Sequence, residues 1–246
     1  MFSVDDRNRV REHVLELASA DSRVVAAAVI GSLAHGPGDR WSDLDLTFAV
    51  AEGVPVVDVL TDWTRDVVDE LDAVQLFDLP SGATIYRVFL LPGCLQVDLS
   101  FTPAAAFGAR GPRFSLLFGT AVETAHSPPP SADGLFGLAV HHAVRARVCI
   151  ERGRWWQAEY WISGIRDEAL ALACLHRGLS AVEGRGFDEL PADVVAAFED
   201  ALVRSLEREE LLRALAGAID ALLRESAPVR VLAEKVRPQL RELASP

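Results

Sequence analysis

Lysine is almost missing from this chain. Lys235 is the only one in 246 residues, and arginine supplies every other cationic side chain. That skew reads as compositional bias and carries no functional weight. The shortage of positive charge as a whole says more. Thirty-six aspartates and glutamates face 24 lysines and arginines, for a net charge of -12. A sequence-independent grip on a phosphate backbone needs clustered cations, so no nucleic-acid partner is expected. The same shortage argues against docking on an anionic membrane. Cysteine is scarce too: Cys94, Cys149 and Cys174 are odd in number, far apart and never in a C-x-x-C pattern. This argues against a disulfide framework or a cysteine zinc site, and fits the reduced thiols of a cytoplasmic protein. No apolar run reaches the roughly 18 residues of a membrane span, and MFSVDDRNRV lacks the apolar centre of an export signal. No repeat period and no low-complexity tract occurs.

What is present suffices for a sizeable core: half the residues are hydrophobic and about a quarter are charged. The length suits one large domain or, preferably, two modest ones. Residues 1–125 carry 18 acidic and 9 basic residues, and residues 39–78 alone carry 11 acids against Arg40 and Arg65. Such a run is usually a solvated face, but it also forms a funnel for cations.

The first half alternates between helical and strand patterns. Ser3-Val4-Asp5-Asp6 has the form of a capping box, and Val10, Val14 and Leu17 extend it into a helix over 4–19. The apolar run 24–30 reads as a buried strand and ends at Gly31. Residues 32–42 read as a turn, with a short helix after Ser32. Residues 43–50 read as a second strand, and 55–73 as an amphipathic helix entered through Pro55. Two more strands, 83–91 and 94–101, flank Pro92-Gly93, a hairpin signal that argues against an all-parallel sheet. Ser127-Pro128-Pro129-Pro130-Ser131 is the best linker signal. Beyond it the pattern is purely helical, over 134–152, 155–177, 192–204, 207–225 and 229–243. The expectation is a small mixed α/β sheet with flanking helices in residues 1–128, followed by an all-α antiparallel bundle in 129–246.

Chemistry concentrates in Gly31-Ser32-Leu33-Ala34-His35-Gly36-Pro37-Gly38-Asp39-Arg40-Trp41-Ser42-Asp43-Leu44-Asp45-Leu46. Gly31 lacks a Cβ, so backbone can approach a ligand there. Ser32 and the amides of a helix start can hold phosphate oxygens. Asp43 and Asp45 point to one side of a strand, where two carboxylates repel unless a cation separates them. Hard oxygens on one face suit Mg²⁺, which takes its remaining ligands from water and nucleotide phosphates. Asp98 shares a strand face with Gln96 and Ser100. The bland alternative is that Ser32 caps a helix while the aspartates blunt a strand end. It explains each residue but not their co-occurrence.

This segment resembles the defining motif of the DNA polymerase beta-like nucleotidyltransferases, a strand ending in Gly-Ser followed by an Asp-x-Asp pair. Within that superfamily it looks most like the small aminoglycoside and lincosamide nucleotidyltransferases, which also carry a helical bundle after the catalytic domain. The resemblance covers residues 24–101. It implies a third carboxylate on a neighbouring strand, for which Asp98 is the candidate. It further implies Mg²⁺, two ions, held by Asp43, Asp45 and Asp98, and ATP or another nucleoside triphosphate held by Gly31 and Ser32. A substrate hydroxyl would attack the α-phosphorus and release pyrophosphate. Asp98 would serve as metal ligand, as base, or as both. Arg40 would add a cation to the phosphates, or equally pair with Asp39.

The remaining polar residues divide between roles. His35 contacts the triphosphate or is an idle loop residue, the second being favoured. His141 and His142 lack acids at ligand spacing and read as packing or surface. In Trp155-Trp156-Gln157-Ala158-Glu159-Tyr160-Trp161, Trp156 and Tyr160 share a helix face. They read as core with a Glu159–Arg166 pair, or as a pocket wall in which Glu159 or Asp167 meets a cationic amine. The leading function is adenylyl transfer to a small hydroxylated acceptor, with a cationic aminoglycoside the first choice. A protein-adenylylating enzyme of the antitoxin kind, or an idle nucleotide-binding protein of the same fold, stands behind it.

Overall fold

A reciprocal cap starts the first helix, α1 (Val4–Ala20). Ser3 Oγ accepts from the Asp6 amide at 3.1 Å, and the Asp6 carboxylate accepts from the Ser3 amide at 2.8 Å. The computed structural model describes residues 1–123 and 128–245. After α1 come β1 (Val24–Ile30), β2 (Leu44–Val50), α2 (Val56–Leu71), β3 (Val74–Ser81), β4 (Thr84–Leu91), β5 (Leu95–Pro103) and β6 (Phe114–Phe118). The strands form one sheet in the order β3-β4-β5-β2-β1-β6. Only β2 and β5 run parallel, so the sheet is mixed.

Side-chain alternation gives the two sheet faces different work. Leu44, Leu46, Phe48 and Val50 of β2 join Val97, Leu99 and Phe101 of β5 in the core. Val14 and Ala18 of α1 and Val59, Leu60, Trp63 and Val67 of α2 complete that core. At its centre the rings of Phe48, Trp63 and Phe101 lie 4.9–5.2 Å apart, tilted or edge-on, as aromatic quadrupoles prefer. The opposite parity carries Asp45 and Thr47 on β2, and Asp98 and Ser100 on β5. Parallel register sets Asp45 beside Asp98 and Thr47 beside Ser100.

Asp21, just past α1, ties this layer together. Its carboxylate accepts from the Arg23 amide and guanidinium and from Trp63 Nε1 at 2.9 Å. The Arg23 hydrogen bonds, then the indole and backbone bonds, hold its pKa down at about 2 against the partial burial that opposes them. A depressed carboxylate contributes stability above its unfolded value and loses it as pH falls through the folded value. Asp21→Asn is therefore expected to cost about 2 kcal/mol at pH 7. The difference from the parent chain should shrink as pH falls from about 4 towards 2, which urea titrations at several pH values would measure.

Two strands lie where the sequence predicts none. Every residue of β3 is exposed, the apolar Val74, Leu76, Phe77 and Leu79 included, so it has no buried face, and Asp78 and Pro80 read as breakers. It forms because β4 pairs with it and because the Arg87 guanidinium grips Asp78 across the pair at 2.6–2.7 Å. At the other edge, β6 sits inside a stretch rich in glycine and proline.

The chain divides between Ser127 and Pro128 into two units. Ser127, the first residue of the expected linker, lies outside the described residues. In the second unit, Ser131 Oγ accepts from Gly134 and caps α3 (Ala132–Glu151). Then follow α4 (Trp155–His176), α5 (Ala192–Ala196), α6 (Arg208–Arg224) and α7 (Arg230–Leu243). Small residues, Ala139, Ala143 and Ala146 on α3 and Ala158 and Ala169 on α4, are fully buried in one core with Leu211, Leu215, Ala218 and Leu222 of α6. None of the helices is long and apolar enough to cross a membrane, among the described residues.

The helix expected over 192–204 stops early. After α5 only a single 3-10 turn, Glu199–Ala201, continues it, and Leu202 is extended. Arg213 of α6 draws the chain out of helical geometry by donating to the carbonyls of Asp200 and Leu202 at 2.7 and 2.6 Å. Glu210 accepts from the Arg204 amide at 2.9 Å. These partners come from the next helix, which local periodicity does not see.

Candidate active site

Gly31 closes β1 and opens a 3-10 turn over Gly31–Leu33. Its φ is +71°, in the left-handed region, and a Cβ built there would stand 2.1 Å from Asp45 Oδ2. Glycine is thus required twice, once by conformation and once because a carboxylate occupies the space of a side chain. Ser32 is exposed on this turn. From there the chain runs through 34–42 to β2. Asp39 knots the end of that loop: its Oδ1 accepts from the Trp41 amide at 2.8 Å and the Ser42 hydroxyl at 3.1 Å. The Asp39 amide in turn donates to Ser42 Oγ at 3.0 Å.

Asp43 stands one residue before β2 begins, not within it as the sequence predicts. The carboxylates of Asp43, Asp45 and Asp98 each bring one oxygen to a common place, all within 4.8 Å of one another, and each residue is half-buried. Gln96 on β5 donates to both oxygens of Asp98 at 3.1 and 3.3 Å. Burial pushes the Asp98 pKa up, the Gln96 bond opposes that, and the nearby Asp43 charge adds to the rise. Three hard oxygen donors in mutual repulsion at one spot are the donor set that a small divalent cation satisfies. The residues present therefore fit a metal of the Mg²⁺ class.

The other expected residues divide. Arg40 does not pair with Asp39. Its guanidinium donates to the Phe2 carbonyl at 3.0 Å and lies over the Trp41 ring at 4.3 Å. His35 Nε2 is bonded to the Pro112 carbonyl at 2.7 Å, which anchors the loop. On α4, Trp156 and Tyr160 are 77% and 65% exposed, so the reading of both as core is wrong. It is Trp155 and Trp161 that pack against the core. The expected Glu159–Arg166 pair is absent as well. Arg166 turns to its neighbour Asp167 at 2.9 Å, and Glu159 accepts from Ser163 at 2.7 Å. One turn of helix puts Ser163 directly over Glu159, closer than a residue two turns away. His142 is packed against Trp161, with ring centroids 5.0 Å apart, in keeping with a packing role.

Arg7 is the site-proximal residue that the sequence does not reveal. It is one of three arginines, with Arg9 and Arg11, in a charged helix, and its partners in the loop lie 30 to 35 positions away.

No family model matches this chain, and no curated protein matches it by sequence. Among solved structures it is similar to an aminoglycoside 6-adenyltransferase from Bacillus subtilis, with a TM-score of 0.39 and 11% identity over 100% of both chains.

Proposed function

We propose that the chain is a metal-dependent nucleotidyltransferase that moves a nucleoside monophosphate, AMP from ATP in the first instance, onto a hydroxyl of a small acceptor. One observation carries this reading: three carboxylates meet within 4.8 Å, and one of them rests on the glycine that ends the preceding strand.

In this reading Asp43, Asp45 and Asp98 hold two Mg²⁺ ions. When bound, these supply charge stabilisation to the entering and leaving oxygens. Gly31 and Ser32 hold the outer phosphates, and Arg40, on the same loop, adds a cation to them. The acceptor oxygen forms a bond to the α-phosphorus, the bond from that phosphorus to the bridging oxygen breaks, and pyrophosphate leaves. Asp98, beside those ions, accepts the hydroxyl proton. A hydroxyl on a cationic acceptor such as an aminoglycoside suits the acidic balance of the chain, whose net charge is -12. The same balance speaks against nucleic acid and anionic membranes as partners, and the three free cysteines fit a cytoplasmic setting.

Residues 129–246 are assigned to acceptor binding. The support is the exposed pair Trp156 and Tyr160, with Glu159 and Asp167 on the same helix. Exposed aromatic faces stack on sugar rings and attract cations. Glu159→Gln is expected to raise the KM for an aminoglycoside about fivefold to tenfold with kcat nearly unchanged, as the loss of about 1 kcal/mol of uniform binding would. Steady-state kinetics on one fixed acceptor measures it.

Incubation with labelled ATP, Mg²⁺ and a panel of aminoglycosides and lincosamides tests the whole reading. Pyrophosphate release that depends on both metal and acceptor supports it. Release with no small acceptor, but labelling of a protein in the mixture, would move the target from antibiotic to protein. The absence of metal and nucleotide binding altogether would sink it.

A further inference from the structure

Arg7 of α1 is 2% exposed, and no carboxylate lies within ion-pair distance of it among the described residues. A buried cation without a counter-ion is costly, and such groups persist where dipoles replace water around them. Here the dipoles are three carbonyls of one loop. Arg7 Nη1 donates to the Asp39 carbonyl at 2.7 Å and the Ser42 carbonyl at 3.0 Å, while Nη2 donates to the Pro37 carbonyl at 3.0 Å. Its Nε is buried without a partner. All of its bonding is thus directed at the chain between the Gly31–Leu33 turn and Asp43. The Ser42 carbonyl is one half of the peptide bond whose amide belongs to Asp43. Fixing it fixes the direction in which Asp43 leaves the loop.

We propose that Arg7 is a positioning residue for the carboxylate site. It clamps residues 37–42 so that Asp43 is delivered within reach of Asp45 and Asp98 before any metal arrives. The proposal rests on the nucleotidyltransferase reading for its chemistry, but its geometry stands apart from it. The planar fork of a guanidinium satisfies three carbonyls at set angles, whereas a lysine ammonium supplies the charge without the fork. The clamp's side-chain bonds go to loop carbonyls and to none of the three carboxylates, so it acts through Asp43. Gathering three carboxylates without a cation between them is unfavourable. The apo site must be held by its surroundings, as outer-shell partners hold the ligands of metal sites.

Arg7→Lys is the primary test, with Mn²⁺ titrated into the metal-free protein by calorimetry alongside circular dichroism and thermal melting. The expected result is a folded protein whose Mn²⁺ affinity falls by about 10–100-fold. The fall in kcat should exceed the change in KM for ATP. Gly38→Ala is the second variant. Gly38 has φ +63°, and a Cβ there would stand 2.6 Å from Leu33 Cδ2 and 2.7 Å from Ser42 Oγ, so it displaces the same loop without touching Arg7. It should lower Mn²⁺ affinity in the same direction. Wild-type affinity in a folded Arg7→Lys protein overturns the proposal, and so does loss of fold in both variants, which would assign the clamp to folding alone. If Arg7→Lys alone fails to fold, unchanged affinity in Gly38→Ala overturns it. An Asp43→Asn control separates the two ideas: if that change leaves Mn²⁺ affinity intact, the metal-site reading itself has failed.

Discussion

Replacing Asp43 and Asp45 together by asparagine is expected to remove Mg²⁺-dependent transfer by a factor of about 10³ or more. Metal stabilisation of the reacting oxygens is worth several kcal/mol, and each 1.36 kcal/mol is about tenfold in rate. Asparagine keeps the shape and a carbonyl oxygen but removes both charges. The three carboxylates lie within 4.8 Å, and burial, with the neighbouring charge of Asp43 adding to it, raises the Asp98 pKa. Relieving that repulsion should leave the metal-free double variant at least as stable as the parent, the usual relation between a strained functional site and stability. Pyrophosphate release, Mn²⁺ calorimetry and thermal melting together make the test. Transfer at the parental rate in the double variant would end the metal-dependent mechanism. A large loss of thermal stability would instead mark the aspartates as structural.

Gly31→Ala is expected to have the second largest effect, through two separable causes. The left-handed φ of +71° strains any residue with a Cβ, at about 1–2 kcal/mol. The added methyl would also overlap Asp45 Oδ2 at 2.1 Å, so the carboxylate must move. Gly53 supplies the control. Its φ is +78°, and nothing lies within 4 Å of a Cβ placed there. Gly53→Ala should therefore show only the conformational cost, with metal affinity unchanged. Gly31→Ala should show at least that cost and, in addition, a fall in Mn²⁺ affinity of about tenfold or more, since misplacing a metal ligand removes more than 1 kcal/mol of binding. Equal behaviour of the two variants would mean that the contact between Gly31 and Asp45 has no bearing on the site.

The elements that carry the site were legible because their causes are local. The Ser3–Asp6 cap predicts the start of α1, and its reciprocal bonds are present. The apolar run 24–30 and the alternation after Asp43 predict β1 and β2 to within a residue. Illegible features were those whose partners come from elsewhere. β3 is held by its pairing with β4 and buries no face of its own, since all of its residues are exposed. The segment 197–204 looks helical until Arg213 takes its carbonyls. Between the two readings of Trp156 and Tyr160, core or pocket wall, the sequence could not choose; the core of that helix is built mostly from alanine, leucine and isoleucine and leaves them outside.

The primary structure alone determined the two-part composition, the strand ending in Gly31-Ser32, and the aspartates at 43, 45 and 98, because strand and turn signals act over a few residues. Only the tertiary structure decided that β5 lies parallel beside β2, in the register that brings Asp98 to Asp45. Only it placed Asp45 over the missing side chain of Gly31, and Arg7 on the carbonyls of the loop that delivers Asp43. The physical reason is that register and burial arise from contacts between residues tens of positions apart, whose joint energy no local window contains.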